Sequence, residues 1–408
     1  MQIITIAREY GAGGGELGRC LAERLGWELL DRQLLHEAAA VEHVPDADLE
    51  RLDEQAVPVA DRLRRHPPHQ QYLHGLREAV QRAAQRGKVI LVGRGARHLL
   101  GDAPQALHVR LVAPRGWRAQ RIAELEALSE EQALARCVEM DRAREQFTRY
   151  FFGAAASQLA QYDLIANSSR LPPPQLAHVL AAIARDETPS EPRPPANDQR
   201  VLTLSRELGA GERGFAPTLA ERLGLAVFDR ELLEQEAVHL GVAEGELEKI
   251  DEQSAGIFER LRPGSLRQRY FLALEQLMHD LAQRGNALLV GRGGSQFLRE
   301  HPRAIHVHLV AAMAQRVRRV MEHRWLREDP ARRLIARSDA RRQAFYASYF
   351  GVDWSSPLEY HLTVNSGRLG PTAVELVAQT AERFWKSASS ALAAPDPAPR
   401  TTPQDGCA

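Results

Sequence analysis

Lysine is almost missing from this chain. It occurs only at Lys88, Lys249 and Lys386, so arginine carries nearly all the positive charge. A GC-rich genome is the simplest account of that bias. Cysteine is scarce too. Cys20, Cys137 and Cys407 are too few and too scattered for a disulfide framework or a zinc site, and a reducing cytosol fits them best. Net charge is absent, with 53 basic residues against 53 acidic ones. That excludes a general nucleic-acid or membrane-surface binder, which would carry a basic excess. No stretch approaches the roughly 18 apolar residues of a spanning helix. The opening Met1-Gln2-Ile3-Ile4-Thr5-Ile6 has neither the basic start nor the long apolar run of a signal peptide, so a cytoplasmic location is expected.

What is present is a repeat. Adding 198 to a residue number in the first half gives its counterpart in the second, without a gap. Arg8-Glu9 maps to Arg206-Glu207, Asp31-Arg32 to Asp229-Arg230, and Leu91-Val92-Gly93-Arg94-Gly95 to Leu289-Val290-Gly291-Arg292-Gly293. Asp141, Arg144 and Asn167-Ser168 return as Asp339, Arg342 and Asn365-Ser366. A domain has been duplicated. Copy one is read as residues 1–185 and copy two as 199–386. Residues 186–198 form a linker with four prolines, and the Ser, Ala and Pro composition of 387–408 reads as a disordered tail.

Within each copy, short apolar runs alternate with helical patterns. Ile3–Ala7, Trp27–Leu30, Val89–Val92, Ala106–Val112 and Leu164–Ala166 read as strands. Leu17–Leu25, Arg115–Leu128, Glu130–Phe152 and Pro174–Arg185 read as helices. Alternation of this kind implies an α/β fold in which a parallel sheet is covered by helices on both faces.

The first strand runs into Arg8-Glu9-Tyr10-Gly11-Ala12-Gly13-Gly14-Gly15-Glu16 and then a helix. Copy two repeats this as Arg206-Glu207-Leu208-Gly209-Ala210-Gly211-Glu212-Arg213-Gly214. Glycines let backbone N–H groups turn onto an anion, and the helix N-terminus adds partial positive charge. Gly11, Gly13, Gly14, Gly209 and Gly211 are therefore candidate phosphate binders. A valine at Gly211 is expected to block the phosphate, because such loops use left-handed backbone. Gly93-Arg94 and Gly291-Arg292 end the third strand, at the sheet edge where ligands bind in open α/β folds. Asp141 with Arg144, and Asp339 with Arg342, share a helix face one turn apart, where a plain salt bridge is the alternative. Arg118, Arg121, Arg316 and Arg319 read as solvated helix face. His108 and His306, inside the fourth strand, read as core or edge histidines rather than catalysts. Asp53-Glu54 and Asp251-Glu252 read as helix starts, where acids favour the dipole, with a metal held through water as the alternative.

These motifs, in this order and twice, resemble the cytidylate-kinase-like family. "ITIAREYGAGGGELG" with "LAERLGWELLDRQLL", then "LVGRGA", "DRAREQF" and "YDLIANSSRL", carry the likeness in copy one. "LTLSRELGAGERGFA", "LVGRGG", "SYFGVDW" and "YHLTVNSGRL" carry it in copy two. The resemblance implies two tandem P-loop-type three-layer domains that bind nucleotides. ATP would be the phosphoryl donor with Mg²⁺, and a nucleoside monophosphate, CMP favoured, the acceptor. By the same resemblance Asp31 and Asp229 help frame the acceptor, Arg94 and Arg292 grip its phosphate, and Arg144 and Arg342 reach the transferring group from a lid.

The departures are specific. A P-loop places a lysine on the β- and γ-phosphates and a hydroxyl on Mg²⁺. The lysine position here is Gly14 or Glu212, and the hydroxyl position is Glu16 or Gly214. Relatives tend to carry an arginine just after the lysine position. Copy two has it as Arg213 and copy one has Gly15, so copy two is expected to be the active half. The metal ligand cannot be named from the sequence. A non-catalytic nucleotide sensor or paired scaffold is the main alternative, and the two halves can pair within the chain. A dinucleotide-dependent oxidoreductase is remote: its glycine fingerprint fits both copies, but in registers two residues apart.

Overall fold

The structure is a computed structural model that describes residues 1–31, 68–153, 158–187, 199–211, 214–229 and 266–393. Copy one contributes strands β1 (Ile3–Arg8), β2 (Glu28–Leu30), β3 (Val89–Val92), β4 (Ala106–Val112) and β5 (Leu164–Asn167). Copy two contributes β6 (Val201–Arg206), β7 (Ala226–Phe228), β8 (Ala287–Val290), β9 (Ala304–Val310) and β10 (Leu362–Asn365). Within each copy all strand pairs are parallel, in the order β2-β3-β1-β4-β5 and its repeat.

Both faces of the strands are apolar, as a covered parallel sheet requires. On β1, Ile4 and Ile6 face helices Gly14–Leu25 and Pro173–Ala184, while Ile3 faces the other way onto Leu76 and Val80 of helix Pro68–Arg86. Leu17 and Leu21, one turn apart, are the buried stripe of the first helix.

The halves do more than sit in tandem. β5 and β10 are the last strands of their sheets, and they pair with each other antiparallel, making one sheet of ten strands. Thr363 pairs with Ile165, its own counterpart in the repeat, so a local two-fold axis passes between them. The polar contacts obey it. The Asn167 side-chain amide donates to the Leu358 carbonyl and that of Asn365 to Ala160, both at 3.0 Å. The Asn167 backbone N–H donates to the His361 carbonyl, and that of Asn365 to Asp163. Helices Pro173–Ala184 and Thr372–Ala393 pack together beneath this seam, and one apolar core runs through both copies. An exposed sheet edge is thereby paired and covered.

The last helix runs past Lys386 to Ala393. The linker residues 188–198, the tail beyond Ala393, Asp53-Glu54 and Asp251-Glu252 lie outside the described residues.

Candidate phosphate and acceptor site

The glycine loop follows β1 and leads into helix Gly14–Leu25. Gly11 and Gly13 have φ of +79° and +85°, and Gly13 caps the helix with no side-chain hydrogen bond to its first turn. In copy two the left-handed residue is Gly209, at φ +84°. A Cβ there would lie 2.7 Å from the Arg316 carbonyl oxygen. Gly211 differs from the expectation. Its backbone is not left-handed, and a Cβ would meet Arg206 and Leu309 at 3.4 and 3.5 Å, ordinary contact distances. Gly209 is thus the position that tolerates no side chain. Arg213 and Glu212 lie outside the described residues.

The two loops differ at the hydroxyl position. Glu16 in copy one is ion-paired to Arg121, so a carboxylate sits in the first turn of the helix that would face an incoming phosphate. Copy two has Gly214 there, and Arg319 instead donates to the carbonyls of Gly209 and Ala210 behind the loop.

At the end of β3, Gly93, Arg94 and Gly95 are all left-handed, with φ of +85°, +54° and +65°. Gly291, Arg292 and Gly293 repeat this at +81°, +50° and +79°. An arginine in that region costs about 1–2 kcal/mol, and such strain persists where the surroundings fix it, commonly at ligand clamps. The Arg8 guanidinium lies over Gly93, where a Cβ would be 1.7 Å from its Nη1.

Arg118 and Arg316 correct the sequence reading. They are buried, not solvated. Arg118 joins Glu9 and Asp141 at 3.4 and 2.7 Å, and Arg316 joins Glu207 at 3.3 Å and also Asp339. Arg121 and Arg319 are half-buried and engaged as above. Glu9 and Glu207 escaped notice as site residues. Burial pushes both carboxyls above their usual range, opposed by the arginine and by a backbone N–H from Ala113 or Ala311. Their signal was present, since all four residues recur at the 198-residue offset.

Asp141 and Asp339 therefore serve the clamp first. Each also accepts from the backbone N–H of Tyr10 or Leu208. Arg144 donates to the Arg8 carbonyl at 3.2 Å and lies over the Tyr10 ring, whereas Arg342 pairs with Asp339 at 3.1 Å and lies over Trp354. Asp31 and Asp229 are exposed at the ends of β2 and β7. His108 and His306 are core residues as expected, each bonded to a β-strand threonine at 2.8 Å and pushed by burial down to a pKa of about 3.

Between these elements copy one holds a cavity of about 390 Å³. Arg94 and Arg144 both line it, while Gly11, Gly13, Gly14 and Asp31 do not. Seven arginines face it against three carboxylates. Copy two puts aromatic rings at the matching positions. Trp354, nearly fully buried, donates from Nε1 to Ser205 Oγ at 2.8 Å and packs edge-on to His308. His308 stacks on Tyr360, whose hydroxyl reaches Ser205 Oγ at 3.3 Å. Ser205, His308, Tyr346 and Tyr360 correspond to the cavity-lining Ala7, Arg110, Thr148 and Tyr162. Copy one has Ala156 where copy two has Trp354.

A family model described as the cytidylate kinase-like family matches residues 3–170 and 201–368. The chain belongs to that family. The two matched spans carry the loop, the β3 or β8 end, and helix Glu130–Phe152 or Glu328–Tyr349. Among curated relatives of this cytidylate kinase-like chain, the cytidylate kinase of Methanopyrus kandleri is 27% identical, covering 44% of this chain and 91% of the relative. The cytidylate kinase of Methanothrix thermoacetophila is 31% identical, covering 41% and 89%. Among solved structures, the shikimate kinase of Bacteroides thetaiotaomicron is 17% identical with a TM-score of 0.28, covering 45% of this chain and 98% of that one. Each of these two cytidylate kinases covers less than half of this chain and most of its own length.

Proposed function

We propose that the protein transfers the γ-phosphoryl group of ATP to a nucleoside monophosphate, with CMP the favoured acceptor and copy two the catalytic half. The observation that carries the choice of half is the Glu16–Arg121 pair. A carboxylate at the head of the helix in copy one repels the donor phosphates that the backbone N–H groups would otherwise attract. Copy two has glycine there, and its own loop carboxylate, Glu212, stands at the lysine position beside the cation Arg213.

In this reading the Gly209 loop holds the donor phosphates through backbone N–H groups, and Arg213 supplies part of the charge of the missing lysine. Arg292, fixed in its left-handed turn, grips the acceptor phosphate two-pronged, and Asp229 frames the acceptor. Arg342 neutralises the transferring group. Phosphoryl transfer is mostly positioning and charge stabilisation, so these groups suffice in kind. The magnesium ion expected with ATP is ordinarily held by nucleotide phosphates and one or two carboxylates. The described residues contain no group of three His, Cys, Asp or Glu that could hold a metal, and the P-loop hydroxyl is gone, so no step here depends on a metal ligand.

The test is ADP release by the full chain with CMP, UMP, AMP and GMP as acceptors. CMP should give the highest kcat/KM. Turnover with none of them, alongside specific nucleotide binding, would favour the sensor reading, which the Glu16–Arg121 pair of copy one supports for that half alone.

A further inference from the structure

The two copies differ on their surfaces as well as at their centres. Each carries a hairpin of two packed helices, Arg115–Glu126 with Glu130–Phe152 in copy one and Met313–Arg324 with Glu328–Tyr349 in copy two. The outer face of the copy-two hairpin is basic. Between residues 318 and 341 seven arginines are exposed against three carboxylates. Arg332 pairs with Glu328 at 2.7 Å. Arg318, Arg324, Arg327, Arg333, Arg337 and Arg341 have no carboxylate partner among the described residues. Arg333, Arg337 and Arg341 follow one another at four-residue spacing, where like charges repel. The counterparts of the six in copy one are Gln120, Glu126, Ser129, Ala135, Glu139 and Ala143, with no cation among them. The copy-one face is acidic and apolar instead. Over the matching residues 120–143 five carboxylates are exposed against one arginine. Leu125 is 69% exposed, and Leu134 and Val138, one turn apart, are 41% and 42% exposed. The bends differ too. The same left-handed backbone, at φ +53° and +54°, holds Ala127 in copy one and Trp325 in copy two, where the ring is 93% exposed. The bend itself does not require that ring.

A chain of zero net charge thus displays one basic and one acidic face on equivalent hairpins. The charge is inverted at two matched positions, Glu126 for Arg324 and Glu139 for Arg337. Such faces attract when unlike and repel when alike, which sets partner choice. Tryptophan and arginine are also the side chains that most often anchor protein contacts. Within one chain both faces are exposed, so neither covers the other. We propose that the copy-two hairpin of one chain docks on the copy-one hairpin of a second chain, with Trp325 on the patch of Leu125, Leu134 and Val138 and the arginines facing Glu124, Glu126 and Glu139. A second copy of this chain accounts for both faces. A nucleic acid would meet Trp325 and the arginines but leave the acidic, apolar face unexplained. An anionic bilayer would repel that face and find one exposed ring at the basic bend, where membrane docking scales with buried apolar area.

The experiment is sedimentation equilibrium of the full chain. At low salt the average mass should rise with concentration above the 45.5 kDa of one chain, and high salt should return it to that value by screening. One variant, Arg324→Glu with Arg337→Glu, cancels the basic face. Another, Glu124→Arg with Glu139→Arg, cancels the acidic one. Glu126 stays in place because it accepts from the Tyr10 hydroxyl. All four substituted positions are exposed, and melting curves check folding. Each variant alone should be monomeric. Mixed in equal amounts the two should associate, because one keeps the acidic face and the other the basic face. Trp325→Ala should weaken association of the unmodified chain about tenfold or more. An unmodified chain that stays monomeric at low salt, or a mixture of the variants that does, would overturn the proposal. So would a monomeric chain that binds a labelled RNA oligonucleotide or phosphatidylserine vesicles through Arg324 and Arg337.

Discussion

Copies one and two share a skeleton and differ at its centre. Strand order, the left-handed arginine after β3 and the Glu–Arg–Asp clamp are the same in both. In copy one the centre is open, rich in arginine and next to a loop whose helix carries Glu16. In copy two the matching positions carry Trp354, Tyr346 and His308, and the loop keeps Gly214. The difference teaches that duplication preserved what holds the backbone and let the residues around the centre diverge. Because the copies share one core and one sheet, either can diverge while the other supports its fold.

The largest effect expected from this contrast is on turnover. Arg292→Ala and Arg342→Ala should each lower CMP-dependent ADP release about 10³-fold, the scale of a positioned arginine in phosphoryl transfer. Arg94→Ala and Arg144→Ala should leave most of it. Equal losses from both sets would mean two working sites, and the contrast would be one of packing only. Gly209→Val should abolish activity as well, since its side chain would strike the Arg316 carbonyl.

Where the copies agree, the effects should match. Arg118→Ala and Arg316→Ala each strand two half-buried carboxylates and should each destabilise the chain by about 3–5 kcal/mol. Urea unfolding would check this. A loss below about 1 kcal/mol from either would show that the clamp is not structural.

A smaller effect separates the centres by pH. His306 and His308 titrate near 3 in the folded chain, and His361 is also pushed well down by burial. Copy one has only His108 at the corresponding three positions, with Arg110 and Asp163 at the others. An unfolded histidine takes up its proton near pH 6.5, and these do so only near 3 when folded. Each therefore gives its full contribution above about pH 6.5 and loses it as pH falls towards 3, at about 1.4 kcal/mol per pH unit. His308→Phe should flatten the slope of stability against pH between 6 and 4 by about that amount. An unchanged slope would place the proton elsewhere.

The fold was legible because its signals are local. Apolar runs gave β3 and β4 to the residue, and a helical pattern gave Glu130–Phe152 likewise, where the structure adds a capping box at Ser129. The join between β5 and β10 was not, because Leu164–Asn167 reads the same whether its edge is solvated or paired. Only the recurrence of Asn167 as Asn365 hinted at it. At the site, Arg94 and Arg144 were found by motif, and the structure brings them to one cavity. The clamp arginines were misread because a guanidinium on an amphipathic helix looks solvated until its long-range carboxylate partners are known. Arg110 was passed over for a similar reason: a charged residue inside a strand shows its surroundings only when the sheet is built.

The division of labour between the copies can be tested most directly with a bisubstrate analogue, adenosine and cytidine joined through a chain of phosphates. Such a molecule must lie in the donor and acceptor sites together. A crystal structure of the full chain with the analogue should show it running from the Gly209 loop to Arg292, with Glu16 and Arg121 still paired in copy one. The analogue running from the Gly11 loop to Arg94, with that pair broken, would contradict the account.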